Sequence, residues 1–155
     1  MKKMTMLLLV VLLFATAGCN NGQELIGFNN EELSKELKNE GIQPKLPTQF
    51  PMEVDGYELQ LPPHKSAIYP VMFKGKEGEI FNLRVHTGDV SYHGEFKKED
   101  VEVNGNEGFF TEDDRAGLDL AWAEGDYYYI LNYQTVGLDT EVTKETMIRV
   151  AESFK

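Results

Sequence analysis

Residues 117–133 read GLDLAWAEGDYYYILNY, and this stretch decides the fold class. Between Leu118 and Trp122, apolar residues alternate with small or polar ones, which is the period of two expected for a strand with one buried face. Gly125-Asp126 is a turn signal, and the aromatic run Tyr127–Tyr133 after it predicts a return strand. The stretch therefore predicts an antiparallel β-hairpin.

The same alternation extends toward the N-terminus. Apolar and polar residues alternate in the segments 54–61 and 81–85, and Ala67, Tyr69, Val71 and Phe73 occupy alternate positions of the segment between them. Valines at 101 and 103 lead into Asn104-Gly105, a strong turn signal, and then into a pair of phenylalanines. Because short turns join most of these runs, we expect one antiparallel sheet of about six strands.

A helix is predicted at the C-terminus. Thr143 suits the N-cap position, and Val142 and Met147 are spaced as a hydrophobic staple. An apolar stripe at helical spacing continues to the end of the chain through Met147, Val150, Ala151 and Phe154. We expect the sheet to bury this stripe, including the Phe154 ring, and we expect Lys155 to be dispensable. The predicted fold class is α+β, with a C-terminal amphipathic helix packed on a single antiparallel sheet.

A second, shorter helix is predicted near the N-terminus, over Glu31–Glu40. Asn30 can cap it, and Gly41 can end it. Its apolar face consists of Leu33 and Leu37, so we expect it to pack lightly or not at all.

The first residues have the pattern of a bacterial export signal. Lysines at 2 and 3 precede the apolar run Met4–Phe14, which is too short to span a hydrocarbon core that needs roughly 20 helical residues. The run Thr16–Cys19 resembles the lipobox of bacterial lipoproteins, in which the cysteine thiol is joined to diacylglycerol before cleavage. A short transmembrane anchor is the alternative. We expect residues 1–18 to be a lipoprotein signal peptide.

This prediction divides the chain into three parts. Residues 19–44 would hold the lipidated Cys19, a tether and the short helix, and residues 45–155 would form the α+β domain. The protein would sit at the extracytoplasmic face of the cell membrane, attached through lipid on Cys19, because two or more acyl chains give stable attachment.

The charge and the cysteine count exclude several classes. The chain has a net charge of −11, and removing the signal peptide takes two lysines and no acidic residue. Nucleic-acid binders need a basic face, so we expect no nucleic-acid partner. A single cysteine also excludes an internal disulfide framework.

Two stretches contain potential ligands for metals. In HTGDVSYH, His86, Asp89 and His93 are groups that suit a divalent transition metal, although their spacing matches no tight motif and a polar loop is the alternative. The acidic run Glu112–Asp114 offers oxygen ligands for calcium but lacks the register of an EF-hand loop. We therefore expect no metal and no cofactor.

Enzyme motifs are not evident. Ser91 and His93 are two residues apart, but no G-x-S-x-G turn surrounds the serine. The sequence also contains no phosphate-binding loop and no dinucleotide fingerprint. We expect no catalytic residues.

The predicted strands hold more aromatic rings than one face of a small sheet must bury. We expect some rings to be exposed, where they would suit a protein partner or an apolar ligand. Ordinary packing within the sheet is the alternative. The rings concerned belong to Tyr57, Tyr69, Phe73, Phe81, Tyr127, Tyr128, Tyr129 and Tyr133.

Three blocks resemble a family of unknown function that occurs in extracytoplasmic lipoproteins and regulatory membrane proteins of low-GC Gram-positive bacteria. They are Glu102–Phe109 (EVNGNEGF), Leu120–Leu131 (LAWAEGDYYYIL) and Thr143–Ser153 (TKETMIRVAES). The resemblance covers residues 45–155 and implies a location outside the membrane, with no activity and no catalytic residues. The residues themselves suggest structural roles, since glycines at 105 and 108 permit unusual backbone angles and Trp122 can organise a core.

Taken together, these features predict a membrane-anchored extracytoplasmic lipoprotein with a non-enzymatic domain that binds or senses an envelope protein or an apolar ligand. A lipoprotein that binds divalent cations is the alternative. A cell-envelope enzyme is the third possibility.

Overall fold

The computed structural model describes residues 23–61, 66–88, 90, 97–113, 117–134 and 140–155. Its helices are α1 (Glu31–Asn39) and α2 (Lys144–Glu152). Its strands are β1 (Ile26–Gly27), β2 (Gln49–Phe50), β3 (Val54–Leu59), β4 (Ile68–Gly75), β5 (Ile80–His86), β6 (Glu99–Val103), β7 (Asn106–Asp113), β8 (Gly117–Glu124) and β9 (Tyr127–Tyr133).

The α+β class and the antiparallel sheet are confirmed, but the predicted strand count is wrong. Strands β3 to β9 form one seven-stranded sheet, and β1 pairs with β2 in a separate two-stranded ribbon. The turn at Asn104-Gly105 divides residues 99–113 into the two full strands β6 and β7. The ribbon includes Ile26 and Gly27, which lie in the segment that we expected to be a tether.

The strand order β3-β4-β5-β9-β8-β7-β6 joins two meanders. In the first meander, β3, β4 and β5 pair with their neighbours in sequence. In the second, β6 to β9 do the same. The two halves meet where β5 pairs antiparallel with β9, so β6 lies at the opposite edge of the sheet from β3.

One face of the sheet, here called the inner face, is covered by a second layer made of α1, the β1–β2 ribbon and α2. Aromatic rings fill the space between the two layers, with centroid distances of 4.8 Å between Phe50 and Phe73 and 4.7 Å between Phe81 and Tyr133. The side chains of Phe73, Phe81, Tyr129 and Tyr133 are at most 1% exposed. For these four rings, the alternative of ordinary packing within the sheet is confirmed. The other four rings of the set are partly exposed, namely Tyr57, Tyr69, Tyr127 and Tyr128.

The prediction that α1 packs lightly is wrong. Leu33 and Leu37 are both completely buried and belong to the main hydrophobic cluster. The hydroxyl of Tyr57 on β3 also donates a hydrogen bond to Glu36 of α1, at 3.0 Å. The core therefore includes residues N-terminal to the predicted 45–155 domain.

The cap of α1 also differs from the prediction. Asn30 occupies the N-cap position, but its side chain makes no capping hydrogen bond. Its amide donates instead to the carbonyl oxygens of Leu46 and Pro47 in the second layer, at 3.2 and 3.1 Å. The Asn29 side chain accepts the hydrogen bond from the Glu31 amide, at 2.9 Å.

The predicted C-terminal helix is confirmed as α2. The Thr143 side chain accepts a hydrogen bond from the Thr146 amide at 3.2 Å, as an N-cap residue does. The stripe of Met147, Val150 and Ala151 is completely buried. The helix ends at Glu152, so Phe154 follows it as part of a tight C-terminal turn.

The last two residues are part of the fold. The Phe154 ring is 3% exposed and lies edge-on to the rings of Trp122 and Tyr129, with centroid distances of 5.1 and 5.5 Å. The backbone of Lys155 exchanges two hydrogen bonds with Leu46, at 3.0 and 3.1 Å. Lys155 therefore takes part in the fold through its backbone, so we expect its deletion to cost stability, which its terminal position did not suggest.

The two glycines of the first family-like block have different reasons to be glycine. Gly105 has a φ of +81° beside Asn104 at +50°, as a tight two-residue hairpin turn requires. Gly108 is outside that region of positive φ, but a Cβ there would lie 2.5 Å from the carbonyl oxygen of Ala121. The predicted special backbone angle is thus confirmed at Gly105 and wrong at Gly108, where close strand packing requires glycine.

Candidate functional site: the outer face of the sheet

The opposite side of the seven-stranded sheet is here called the outer face. Because side chains alternate along a strand, the residues between the inward-pointing rings of β5, β8 and β9 belong to it. The centre of this face is apolar and almost inaccessible to solvent. Ala121 and Ile130 are 0% and 2% exposed there, although neither belongs to the main hydrophobic cluster. Arg84, paired with Ile130 across the strands, is exposed.

A row of polar side chains crosses the outer face beside this apolar centre. Asn82 of β5 lies opposite Asn132 of β9, which lies opposite Asp119 of β8. The Asn132 amide donates to the Asp119 carboxylate at 3.0 Å, and the Asn82 amide donates to the Asn132 side-chain oxygen at 3.5 Å. Thr111 of β7 continues the row and is 6% exposed. We call these residues the polar row.

Asp119 is the chemically unusual member of the polar row. Burial raises the pKa of its carboxyl group above the usual value, against the opposing effects of the Asn132 hydrogen bond and the positive charge of Arg84. A raised pKa means that the fold holds the charged carboxylate at a net cost in stability. Groups whose pKa is perturbed in this way are concentrated at functional sites.

A shallow depression of about 280 Å³ adjoins the polar row on the β4–β5 side. Its polar lining comes from the amides of Gln60, Asn82 and Asn132 together with the guanidinium of Arg84. Pro70 and Met72 provide apolar surface beside them. Together, the row and the depression present hydrogen-bond donors and acceptors around the positive charge of Arg84. This arrangement suits a polar partner surface better than an apolar ligand.

His86 lies on the outer face at the end of β5 and is 9% exposed. Its ring stands edge-on to that of Tyr128, with a centroid distance of 6.2 Å, and its Nε2 atom is buried without a hydrogen-bond partner among the described residues. Burial, together with the charge of Arg84, lowers the pKa of His86. Both effects favour the neutral form of the imidazole.

Several residues singled out in the sequence lie outside the described part of the chain. Cys19, Asp89, Ser91, His93 and Asp114 are among them. The structure therefore leaves the predicted lipidation of Cys19 as a prediction, and the same is true of the HTGDVSYH metal alternative. Within the described residues, no group of three or more His, Cys, Asp or Glu side chains is placed to hold a metal ion.

The described acidic residues near 112–126 are dispersed. Glu112 and Asp113 are exposed at the end of β7, while Asp119 belongs to the polar row. Glu124 forms an ion pair with Lys45, which lies between α1 and β2. Among the residues from 23 onward that the structure describes, no helix is long and apolar enough to cross a membrane.

The polar row was missed in the sequence, although part of it carried a signal. A two-residue turn at Gly125-Asp126 fixes the register of the β8–β9 hairpin, and that register places Asp119 opposite Asn132. No comparable turn links Asn82 to Asn132, because β5 and β9 are not consecutive strands.

Comparison with known protein families, with curated proteins and with solved structures found no match. The resemblance noted in the sequence therefore stays a prediction. The three blocks that carry it lie on β6–β7, on β8–β9 and on α2 with its N-cap and C-cap, so each is placed at a turn or in the core.

Proposed function

We propose that this protein is a lipoprotein anchored at the extracytoplasmic face of the membrane, and that its domain binds a protein partner through the outer face of the sheet. The anchor is the lipid on Cys19, and the binding surface consists of the polar row and the adjoining depression. The protein has no catalytic role in this proposal.

The proposed anchor is supported by the order of residues at the N-terminus. A positive start, a short apolar run and small residues lead to the single cysteine of the chain. Each feature fits a lipoprotein signal, and the run is shorter than a membrane span.

The binding role is supported by one observation, the partly buried carboxylate of Asp119 within a hydrogen-bonded row on the outer face. An uncharged residue at position 119 would avoid the cost of holding a partly buried charge. Retaining a costly charge on a surface is typical of residues selected for binding. The inner face, by contrast, is filled by aromatic side chains from both layers, so a surface contact is favoured over an apolar ligand held beneath the sheet.

The anchor is tested with Cys19→Ala. We expect wild-type protein to incorporate a labelled fatty acid and to fractionate with membranes, and we expect the variant to take up no lipid and to be released or held as uncleaved precursor. Thr16→Leu is the matched control, because it changes the same motif, keeps the thiol and should leave lipid uptake intact. Wild-type protein without lipid would contradict the proposed anchor.

The binding surface is tested with Asp119→Asn, which keeps the shape of the side chain and an acceptor for the Asn132 amide. Because the pKa of Asp119 is raised in the folded state, this group contributes a stability that is fully present at pH values below its pKa in the unfolded chain. That contribution is lost as the pH rises through its pKa in the folded protein. At pH values above the folded-state pKa of Asp119, the Asp119→Asn variant should be at least as stable as wild type in urea unfolding. The variant should also lack this pH dependence.

The same variant should lose binding. A photoreactive amino acid at Ala123, which is exposed on the outer face but belongs to neither the polar row nor the depression, should capture a partner in intact cells. Asp119→Asn should reduce that adduct although the fold is no weaker. Lys35, exposed on α1, is the control position and should give no such adduct. Equal capture with and without the Asp119 charge would exclude the polar row from the binding surface.

A further inference from the structure

We propose that the β1 side of the second layer contacts the bilayer, with Ile26 at the lipid surface, and that the outer face of the sheet consequently points away from the membrane. This inference rests on the proposed lipid anchor at Cys19. It adds the orientation of the domain and names the surface that the membrane covers.

The described chain begins at a firmly held residue. The Gln23 side-chain amide donates to the carbonyl oxygen of Pro51 at 3.0 Å, and the Gln23 carbonyl accepts from the guanidinium of Arg149 at 2.7 Å. Arg149 lies on α2 and Pro51 directly follows β2, so both partners belong to the second layer. The entry point of the chain is thereby fixed on the side of the domain that lies opposite the outer face.

The length of chain between anchor and fold is short. Four peptide units connect Cys19 to Gln23, and even fully extended they span at most about 14 Å. The headgroup zone on each side of the hydrocarbon core is itself about 5–8 Å thick. Gln23 therefore cannot move far from the lipid, and the second layer must lie next to the membrane surface.

The surface at this position is suited to contact with lipid. Ile26 is 43% exposed and is one of three large hydrophobic residues in the described part of the chain that are at least 39% exposed. Ile26 lies on β1, three residues after the fixed Gln23. Strand β1 pairs with β2 along one of its edges. Glu24 and Glu152 are exposed nearby, so apolar contact and the short chain, rather than net positive charge, would hold this surface at the bilayer.

The orientation has a consequence for the binding surface. Two packed layers are separated by about 10 Å, so side chains on the outer face stand at least that distance beyond the β1–β2 ribbon. With the ribbon at the membrane, the polar row faces the aqueous side, where a second protein can reach it.

The test uses the complete lipidated protein with one introduced thiol, since lipid consumes the single natural cysteine. Ile26→Cys and Ala123→Cys are each labelled with the same fluorophore. Both positions are exposed, and Ala123 lies on the outer face of β8, so it is the matched control. The proteins are reconstituted into phosphatidylcholine–phosphatidylglycerol vesicles that contain lipids with a spin-labelled headgroup, which quench nearby fluorophores.

We expect the label at position 26 to lose most of its fluorescence and the label at position 123 to keep it. Equal quenching, stronger quenching at position 123, or no quenching at either position would overturn the inference if mass spectrometry shows lipid on Cys19. Protein that carries no lipid would instead overturn the proposed anchor and this inference together.

Discussion

Phe154→Ala is expected to lower the melting temperature by on the order of 10 °C or more, because it removes a buried ring that packs against the inner face of the sheet. Phe154 is 3% exposed and lies edge-on to Trp122 and Tyr129. Removing a buried phenylalanine side chain typically costs about 3–5 kcal/mol, and a domain of this size has about 5–15 kcal/mol in total. Thermal unfolding followed by far-UV circular dichroism measures the change.

Ile68→Ala is the control for this prediction. Ile68 is 39% exposed, so losing its side chain creates no internal cavity and should change the melting temperature little. If Phe154→Ala melts within a degree or two of wild type, the end of the chain contributes little to the core. The close aromatic contacts with Trp122 and Tyr129 would then have no energetic importance.

The C-terminal helix could be predicted because its signals are local. Thr143 is followed by apolar residues at helical spacing, and a stripe of this kind has to be buried wherever the helix packs. The burial of Phe154 followed from the same spacing. What could not be predicted was the pairing of Lys155 with Leu46, since backbone hydrogen bonds between distant segments leave no pattern in side-chain hydrophobicity.

The second layer could not be predicted because its parts are individually weak. Leu33 and Leu37 are too few to mark α1 as a core helix, although both are completely buried. Their burial depends on tertiary packing, since both belong to the same hydrophobic cluster as the inner-face residues of the sheet. The same tertiary contacts explain why Phe73 and Tyr133 are buried although an excess of rings suggested exposure.

The candidate site was predictable in part. Alternation assigned Asn82 and Asp119 to the polar faces of their strands, and the β8–β9 turn set Asp119 against Asn132. The complete row requires β5 to lie beside β9, which is decided by how the two meanders pack. The raised pKa of Asp119 follows from that packing, so it could not be read from the sequence either.

Gly117→Ala is expected to destabilise the fold by about 2–5 kcal/mol, because two separate costs combine at this position. Gly117 has a φ of +86°, a conformation that side chains with a Cβ resist. A Cβ would also lie 2.1 Å from the carbonyl oxygen of Tyr133. That atom belongs to the backbone of β9 and cannot move aside without breaking the β8–β9 pairing, so urea unfolding should show a large loss of stability.

Gly105→Ala separates the two costs. Its φ of +81° is nearly the same, but a Cβ there would meet nothing within 4 Å, so this variant should lose only the conformational part, about 1–2 kcal/mol. A larger loss at Gly117 than at Gly105 would measure how tightly the start of β8 is packed against the end of β9. Equal losses would mean that the sheet yields at this point, and that Gly117 is required by its backbone angle alone.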